Sequence, residues 1–258
     1  MIKTFLYFLC FHVACLLVAQ TAGNPIQTVD KREWTMGLSA NYLHQQLGNE
    51  VALSKRILIK SMWGVHRGLG IYGLLGTVQL SMNTNKPGIT NYRDRFRFGY
   101  GLGLHAQTDL NRGAENSIGL WGGIQALKFV SEGSFLKSVQ FQGESYTREF
   151  GMKYDWGETM VCGGFVIPIR TLRLYGGGAG WASLRHDTKK EYLMDSSNSR
   201  QFMGEAKGDY QSGMWSGGIL GIEFLLPNRY SLSIEGLVFN KQNYQIMVGI
   251  SQTGSPGW

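Results

Sequence analysis

Charge is scarce in this chain, cysteine nearly absent, and beyond the N-terminal segment no apolar run approaches the length of a membrane-spanning helix. Asp, Glu, Lys and Arg make up 17% of the 258 residues, against about 25% in an ordinary soluble domain. Of the three cysteines, Cys10 and Cys15 lie in the N-terminal apolar segment. Cys162 is left without a partner for an internal disulfide and reads as a small wall residue. The missing run leaves one way to cross a membrane, a closed sheet, because lipid tolerates no open strand edge. CxxC, HExxH, phosphate-cradling glycine loops and clustered metal ligands are also missing. No cofactor, metal or catalytic residue is therefore assigned.

What is present in excess is glycine: 36 of 258 residues, about 14% against a usual ~7%. Glycine weakens soluble helices and ordinary strands, but a narrow barrel uses it where interior space is short or strands bend. The second feature is alternation. Ile57, Ile59, Ser61, Trp63 and Val65 interleave with Arg56, Leu58, Lys60, Met62 and Gly64, and Tyr230, Leu232, Ile234, Gly236 and Val238 with Ser231, Ser233, Glu235, Leu237 and Phe239. A period of two over such lengths fits a wall with lipid outside and a polar lumen inside.

The N-terminus fits export. Lys3 is the only charge before Asp30 and precedes an apolar run over residues 5–19, followed by a polar stretch, 20–25. Residues 1–19 read as a cleavable signal peptide, 20–33 as a leader and 34–258 as the barrel. Too few residues follow Ile250 for a separate periplasmic domain. The expected fold class is all-β: an antiparallel transmembrane β-barrel of about ten strands, with eight to twelve possible. The strands fall near 34–44, 55–65, 69–82, 95–108, 117–130, 152–167, 171–185, 211–226, 229–240 and 243–252. Short periplasmic turns are expected at 66–68, 168–170 and 227–228. Longer outer loops are expected at 45–54, 83–94, 131–151 and 186–210. The connections at 109–116 and 240–242 fit that scheme least well.

In the fourth strand Phe96, Phe98, Tyr100, Leu102 and Leu104 form an outward row, with Arg95, Arg97, Gly99, Gly101, Gly103, His105 and Gln107 inward. A lumen of small and basic residues follows. Tyr42, Trp63, Tyr100, Tyr154, Trp156, Tyr175, Tyr230 and Tyr244 are candidates for the interfacial girdles, while Trp121, Trp181 and Trp215 take no assigned face. Charges expected inside are Arg56, Lys60, Arg95, Arg97, His105, Glu223 and Glu235. Their simplest role is a lumen network in which the glutamates pair with bases on facing strands, plugging the barrel.

The strand rhythm, the segments Lys55-Arg-Ile-Leu-Ile-Lys-Ser-Met-Trp-Gly-Val and Leu69-Gly-Ile-Tyr-Gly-Leu-Leu-Gly, and Leu174-Tyr-Gly-Gly-Gly-Ala-Gly-Trp together resemble the outer-membrane β-barrels of Gram-negative bacteria. The small OmpA-like barrel domains are the most similar. The resemblance covers the mature chain and implies an outer-membrane location, with the barrel-assembly machinery as a partner in biogenesis. Such barrels end on an aromatic residue. Here residues 252–257 separate the last strand from Trp258.

Three functional classes follow. The first is a structural or loop-mediated interaction protein with a narrow, plugged lumen, and the alternative is a small passive or gated pore. The third is a barrel enzyme, a protease or lipid hydrolase. Omptin-like proteases carry paired aspartates and an Asp-x-His element, whereas His186-Asp187 is adjacent and Asp109 is expected at the opposite end. His105 is expected inward and His66 in a turn, neither with an evident serine partner, and His44 and His186 are expected as solvated residues near outer loops. The net charge of +7 becomes +6 without Lys3 and suits outer-membrane lipid and lipopolysaccharide. Dispersed bases with no stacking platform argue against nucleic acid. The extracellular ligand is unknown.

Overall fold

The computed structural model describes residues 31–84, 92–110, 118–141, 144–194, 199–212 and 214–254. Residues 1–19, expected to be a signal peptide, Trp258 and the Asp109 side chain lie outside the described residues. Twelve strands follow in order: β1 Trp34–Leu47, β2 Glu50–His66, β3 Leu69–Thr84, β4 Tyr92–Arg93, β5 Arg97–Asp109, β6 Gly119–Phe141, β7 Glu144–Ile169, β8 Leu172–Met194, β9 Arg200–Gln211, β10 Trp215–Leu226, β11 Tyr230–Asn240 and β12 Asn243–Gly254. Ten of them close a ring of antiparallel neighbours, and β1 pairs with both β2 and β12 while β10 pairs with both β11 and β8. Among the described residues the small β4 pairs with β3 alone.

The ring turns tightly at one end. Residues 67–68 and 170–171 join neighbouring strands there, and a single 3-10 turn, Pro227–Arg229, joins β10 to β11. Gly68 has φ +72°, and a Cβ on it would lie 2.1 Å from the Gln107 carbonyl oxygen, so only glycine fits.

Alternation sorts the side chains as a membrane wall requires. Ile57, Ile59 and Trp63 on β2, Ile71 and Leu75 on β3, Tyr100, Leu102 and Leu104 on β5, Val161, Phe165 and Ile167 on β7, and Ile246 and Val248 on β12 are all exposed, Leu102 to 69%. A continuous apolar exterior of this kind far exceeds the ~300–600 Å² patches of soluble monomers. With the sheet closed and no strand edge left in that band, the fold is a transmembrane β-barrel.

Two groups of large residues fill the interior. The lower one includes Trp121, Met160, Tyr175, Trp181, Ile219 and Met247. Nearer the rim, Leu58, Val78, Leu80, Phe129, Tyr154 and Trp156 pack together. The lumen is therefore more aromatic and aliphatic than the small, basic lining read from the fourth strand. Three expected girdle residues, Tyr154, Trp156 and Tyr175, are instead buried inside, whereas Trp63 and Tyr100 do face out. Trp121 and Trp181 point inward as well.

The loops expected at 45–54, 131–151 and 186–210 are mostly strand. β1 and β2 meet across residues 48–49. β6 and β7 stay paired from Gly119↔Val166 to Phe141↔Glu144, and β8 continues past the ring, its lower half paired with β10 and its upper half with β9. The break between β9 and β10 is pinned by the Ser183 N–H donating to Ser212 Oγ at 2.6 Å and the Ser212 N–H donating to the Ser183 carbonyl at 2.9 Å. The upper parts of β6, β7, β8 and β9 thus stand as a four-stranded extension beyond the apolar band.

Candidate functional site

The lumen is crossed from wall to wall. Arg56 on β2 donates to Glu158 on β7, its Nη2 lying 2.8 Å from Oε2, and the two side chains are 2% and 7% exposed. Three ring strands, β3, β5 and β6, separate them on the shorter path, so the pair is a girder across the pore. Arg56 Nε is held by Ser54 Oγ at 3.0 Å, and its guanidinium lies 5.8 Å from the Phe129 ring centre. Gln45 on β1 reaches Ser183 on β8 at 3.2 Å, and Arg185 on β8 donates to Glu50 on β2 at 2.9 Å.

Deeper down, Tyr175 donates to Glu235 at 3.0 Å, Arg173 lies 3.7 Å from Glu223, and Lys60 Nζ sits 4.0 Å from the Tyr72 ring centre. Arg56, Lys60, His105, Glu223 and Glu235 are thus buried inside as expected. The partner of Arg56 is Glu158, which the sequence reading missed because Gly157 beside it obscured the face of β7.

Arg95 and Arg97 depart from the expected lumen position. Both lie at the rim, Arg95 exposed and Arg97 half-buried, since the chain before β5 leaves the wall. They line a cleft of about 850 Å³ formed by the β4–β5 segment and the face of the extension that continues the outward side of the wall. Seven Lys or Arg side chains and four Asp or Glu line it. Glu149 grips Arg200, its Oε2 accepting from Arg200 Nε at 2.6 Å. Glu205 lies 3.0 Å from Lys207. Arg93, Arg95 and Lys153 have no carboxylate within ion-pair distance among the described residues. The cleft therefore carries an uncompensated positive charge.

Asp94 fixes the near wall. Oδ1 accepts the Arg95 N–H at 2.7 Å, and Oδ2 accepts from Arg97 Nε, Ser131 Oγ and the Glu132 N–H, each at 2.9 Å. Burial alone would raise this carboxyl, but the Arg97 guanidinium, the Ser131 hydroxyl and the two backbone donors outweigh it and hold it below its usual range. A depressed folded value means the clamp is complete above about pH 5 and weakens as pH falls through that value, below about 4. Limited proteolysis around residues 92–97 is expected to accelerate at pH 3 relative to pH 6. Asp94→Asn is expected to be cleaved rapidly at both pH values, having lost about 1–3 kcal/mol of local binding.

The residues weighed for catalysis are scattered. His186 Nδ1 lies 2.6 Å from Asp209 Oδ1, not against Asp187, and both partners are largely exposed on the outward face. Alternation turns Asp187 inward, 2.7 Å from Arg185 Nε. His44 stacks on Tyr244 at 5.0 Å and reaches the Gln242 carbonyl, while His66 is exposed at the short-turn end. Cys162 is buried in the wall.

No family model matches the sequence, and no curated protein matches it. Among solved structures the chain is similar to the transport unit of the autotransporter AIDA-I from Escherichia coli, at 10% identity over 95% of this chain and 97% of that one, with a TM-score of 0.46. It is also similar to the outer membrane protease OmpT from Escherichia coli, at 12% identity over 86% and 95% with a TM-score of 0.42. For the translocator domain of the autotransporter NalP from Neisseria meningitidis the values are 11%, 88%, 90% and 0.33. Likenesses of this size say nothing of what the present chain binds or does.

Proposed function

We propose that this chain is an integral outer-membrane barrel of a Gram-negative cell, exported through a signal peptide and built on the plan of the small OmpA-like domains. Its role is interaction at the cell surface; passage of solutes and catalysis are not its business. The short-turn end faces the periplasm and the extension faces outward. The observation that carries the reading is the contrast between a lumen crossed by the buried Arg56–Glu158 pair and an open, basic cleft on the extension just beyond the lipid-facing band. With the extension outward, a cleft just beyond the apolar band stands at the level of lipid headgroups. Phosphates of lipopolysaccharide supply the anions that Arg93, Arg95 and Lys153 lack.

Capture of purified lipopolysaccharide by the detergent-solubilised barrel tests this. Binding is expected to weaken with salt, as interactions of exposed charges do. The triple substitution of Arg93, Arg95 and Lys153 by Ala is expected to reduce it tenfold or more while the protein still migrates faster unheated than boiled. Equal binding of enzymatically dephosphorylated lipopolysaccharide would reject the assignment.

A further inference from the structure

Nearly every residue of β9 is exposed, and among the described residues only β8 pairs with it. Its far edge is a row of unpaired backbone donors and acceptors, the feature that invites another strand. Charged edges normally repel such additions, but the central pair of charges on β9, Glu205 and Lys207, is symmetric, while Asp209 falls opposite Met203 and Arg200 lies outside the mirrored stretch. About Ala206, Glu205 mirrors Lys207, Gly204 mirrors Gly208, and Phe202 and Tyr210 stand four residues to either side. In an antiparallel pair of two copies centred on Ala206, each Glu205 lies opposite the partner's Lys207, and the glycines leave the flanks unobstructed. At both Gly204 and Gly208 the space a Cβ would enter is empty.

We propose that β9 is a self-complementary edge through which two copies of this chain pair about a two-fold axis at Ala206. Opposite charges directly across an antiparallel pair are favourable and like charges unfavourable, so β9 accepts its own sequence and rejects edges that lack the pattern. The direction of pairing sets the geometry of the assembly. The strands of the extension continue those of the wall and run away from the membrane, so an antiparallel partner runs back toward it. Two upright barrels in one membrane cannot meet in this way. The pairing joins barrels in apposed membranes, with their rims facing one another.

Cysteine cross-linking of the protein with Cys10 and Cys15 replaced by Ser reads the register directly. In Ala206→Cys the two sulfurs meet at the axis, with Cα atoms within the ~4.4–6.8 Å span of a disulfide. In Met203→Cys they are roughly 20 Å apart, from six strand residues at about 3.3 Å each. Oxidation is expected to give a covalent dimer with the first variant and not the second, and the buried Cys162 stays inert. Vesicles carrying the protein are expected to cluster with one another. Glu205→Lys reduces clustering tenfold or more, and Glu205→Lys with Lys207→Glu restores it. Equal cross-linking at positions 203 and 206, clustering indifferent to charge reversal, or equal clustering with protein-free vesicles would each overturn the proposal.

Discussion

Replacing Glu158 by Ala is expected to open the barrel. Arg56 would remain in the lumen without its carboxylate, and breaking a buried pair from one side costs about 3–5 kcal/mol. The guanidinium then recruits water into a space that the pair now spans. Planar bilayers are expected to show no steady current with the native protein and a small, cation-rejecting conductance with Glu158→Ala. The urea midpoint in detergent is expected to fall in parallel. Removing both charges together, as Arg56→Met with Glu158→Leu, is the contrasting case. Hydrophobic side chains of similar volume commonly replace a buried pair at no loss of stability, and here the Phe129 ring, itself stacked on Trp156, already lies beside Arg56. The double variant is therefore expected to stay silent and to regain most of the lost stability. A current through the native protein as large as that of the single variant would show that the girder does not close the pore.

Gly221→Ala is expected to destabilise the barrel by about 3 kcal/mol, the upper end for overpacking. Gly221 lies opposite Tyr175 in the β8–β10 ladder, and a Cβ there would lie 2.1 Å from Tyr175 Cζ and 2.4 Å from its hydroxyl. The ring lies across the glycine and holds Glu235 at its tip. Displacing it costs packing and the bond to the carboxylate together. Tyr175→Leu in the same molecule removes every atom that clashes, so the two losses are expected to be strongly non-additive, by about 2 kcal/mol. The matching pair on the other side of the ring, Gly103 and Tyr72, is expected to behave differently. A Cβ on Gly103 meets the Tyr72 ring at 2.3 Å but also the Ile124 carbonyl oxygen at 2.6 Å, so shrinking Tyr72 does not rescue Gly103→Ala. Equilibrium unfolding of the four single and two double variants checks both cycles.

Much of the wall was legible in the sequence because lipid imposes a simple rule on it. The fourth strand shows this best: Phe98, Tyr100, Leu102 and Leu104 do face out while Gly99, Gly103 and His105 are buried. The short turns were legible too, since they are bounded by strands whose outward rows stop abruptly. Legibility failed where the rule lapses. Beyond the apolar band the outward face meets water, so Glu132, Ser134, Lys153 and Lys190 alternate with the inward Gly133, Phe135, Met152 and Lys189. Such a sequence has the composition of a loop even though it is paired strand. The interior misled in the opposite way. Trp156 and Tyr175 carry the apolar character of girdle residues, but in a filled lumen an aromatic ring is as well accommodated inside as out.

The candidate cleft was not legible at all. Its bases come from four separated stretches, around Arg93, Lys153, Lys190 and Arg200, that the extension brings together. The cross-lumen pair was half legible. Arg56 was placed inside by its alternation with Ile57, whereas Glu158 follows a glycine in a strand whose two faces look alike. Nothing local to either residue signals the other, because the closure of ten strands sets which positions oppose.

The unequal heights of the strands have a directional consequence. β7 runs for 26 residues and β11 for only 11, a difference of about 50 Å along the strand at ~3.3 Å per residue. The mouth is walled high along one arc and low along the other. A bulky molecule approaching this mouth meets the least sheet over the low arc of β11, β12 and β1. From the opposite quarter it meets sheet first.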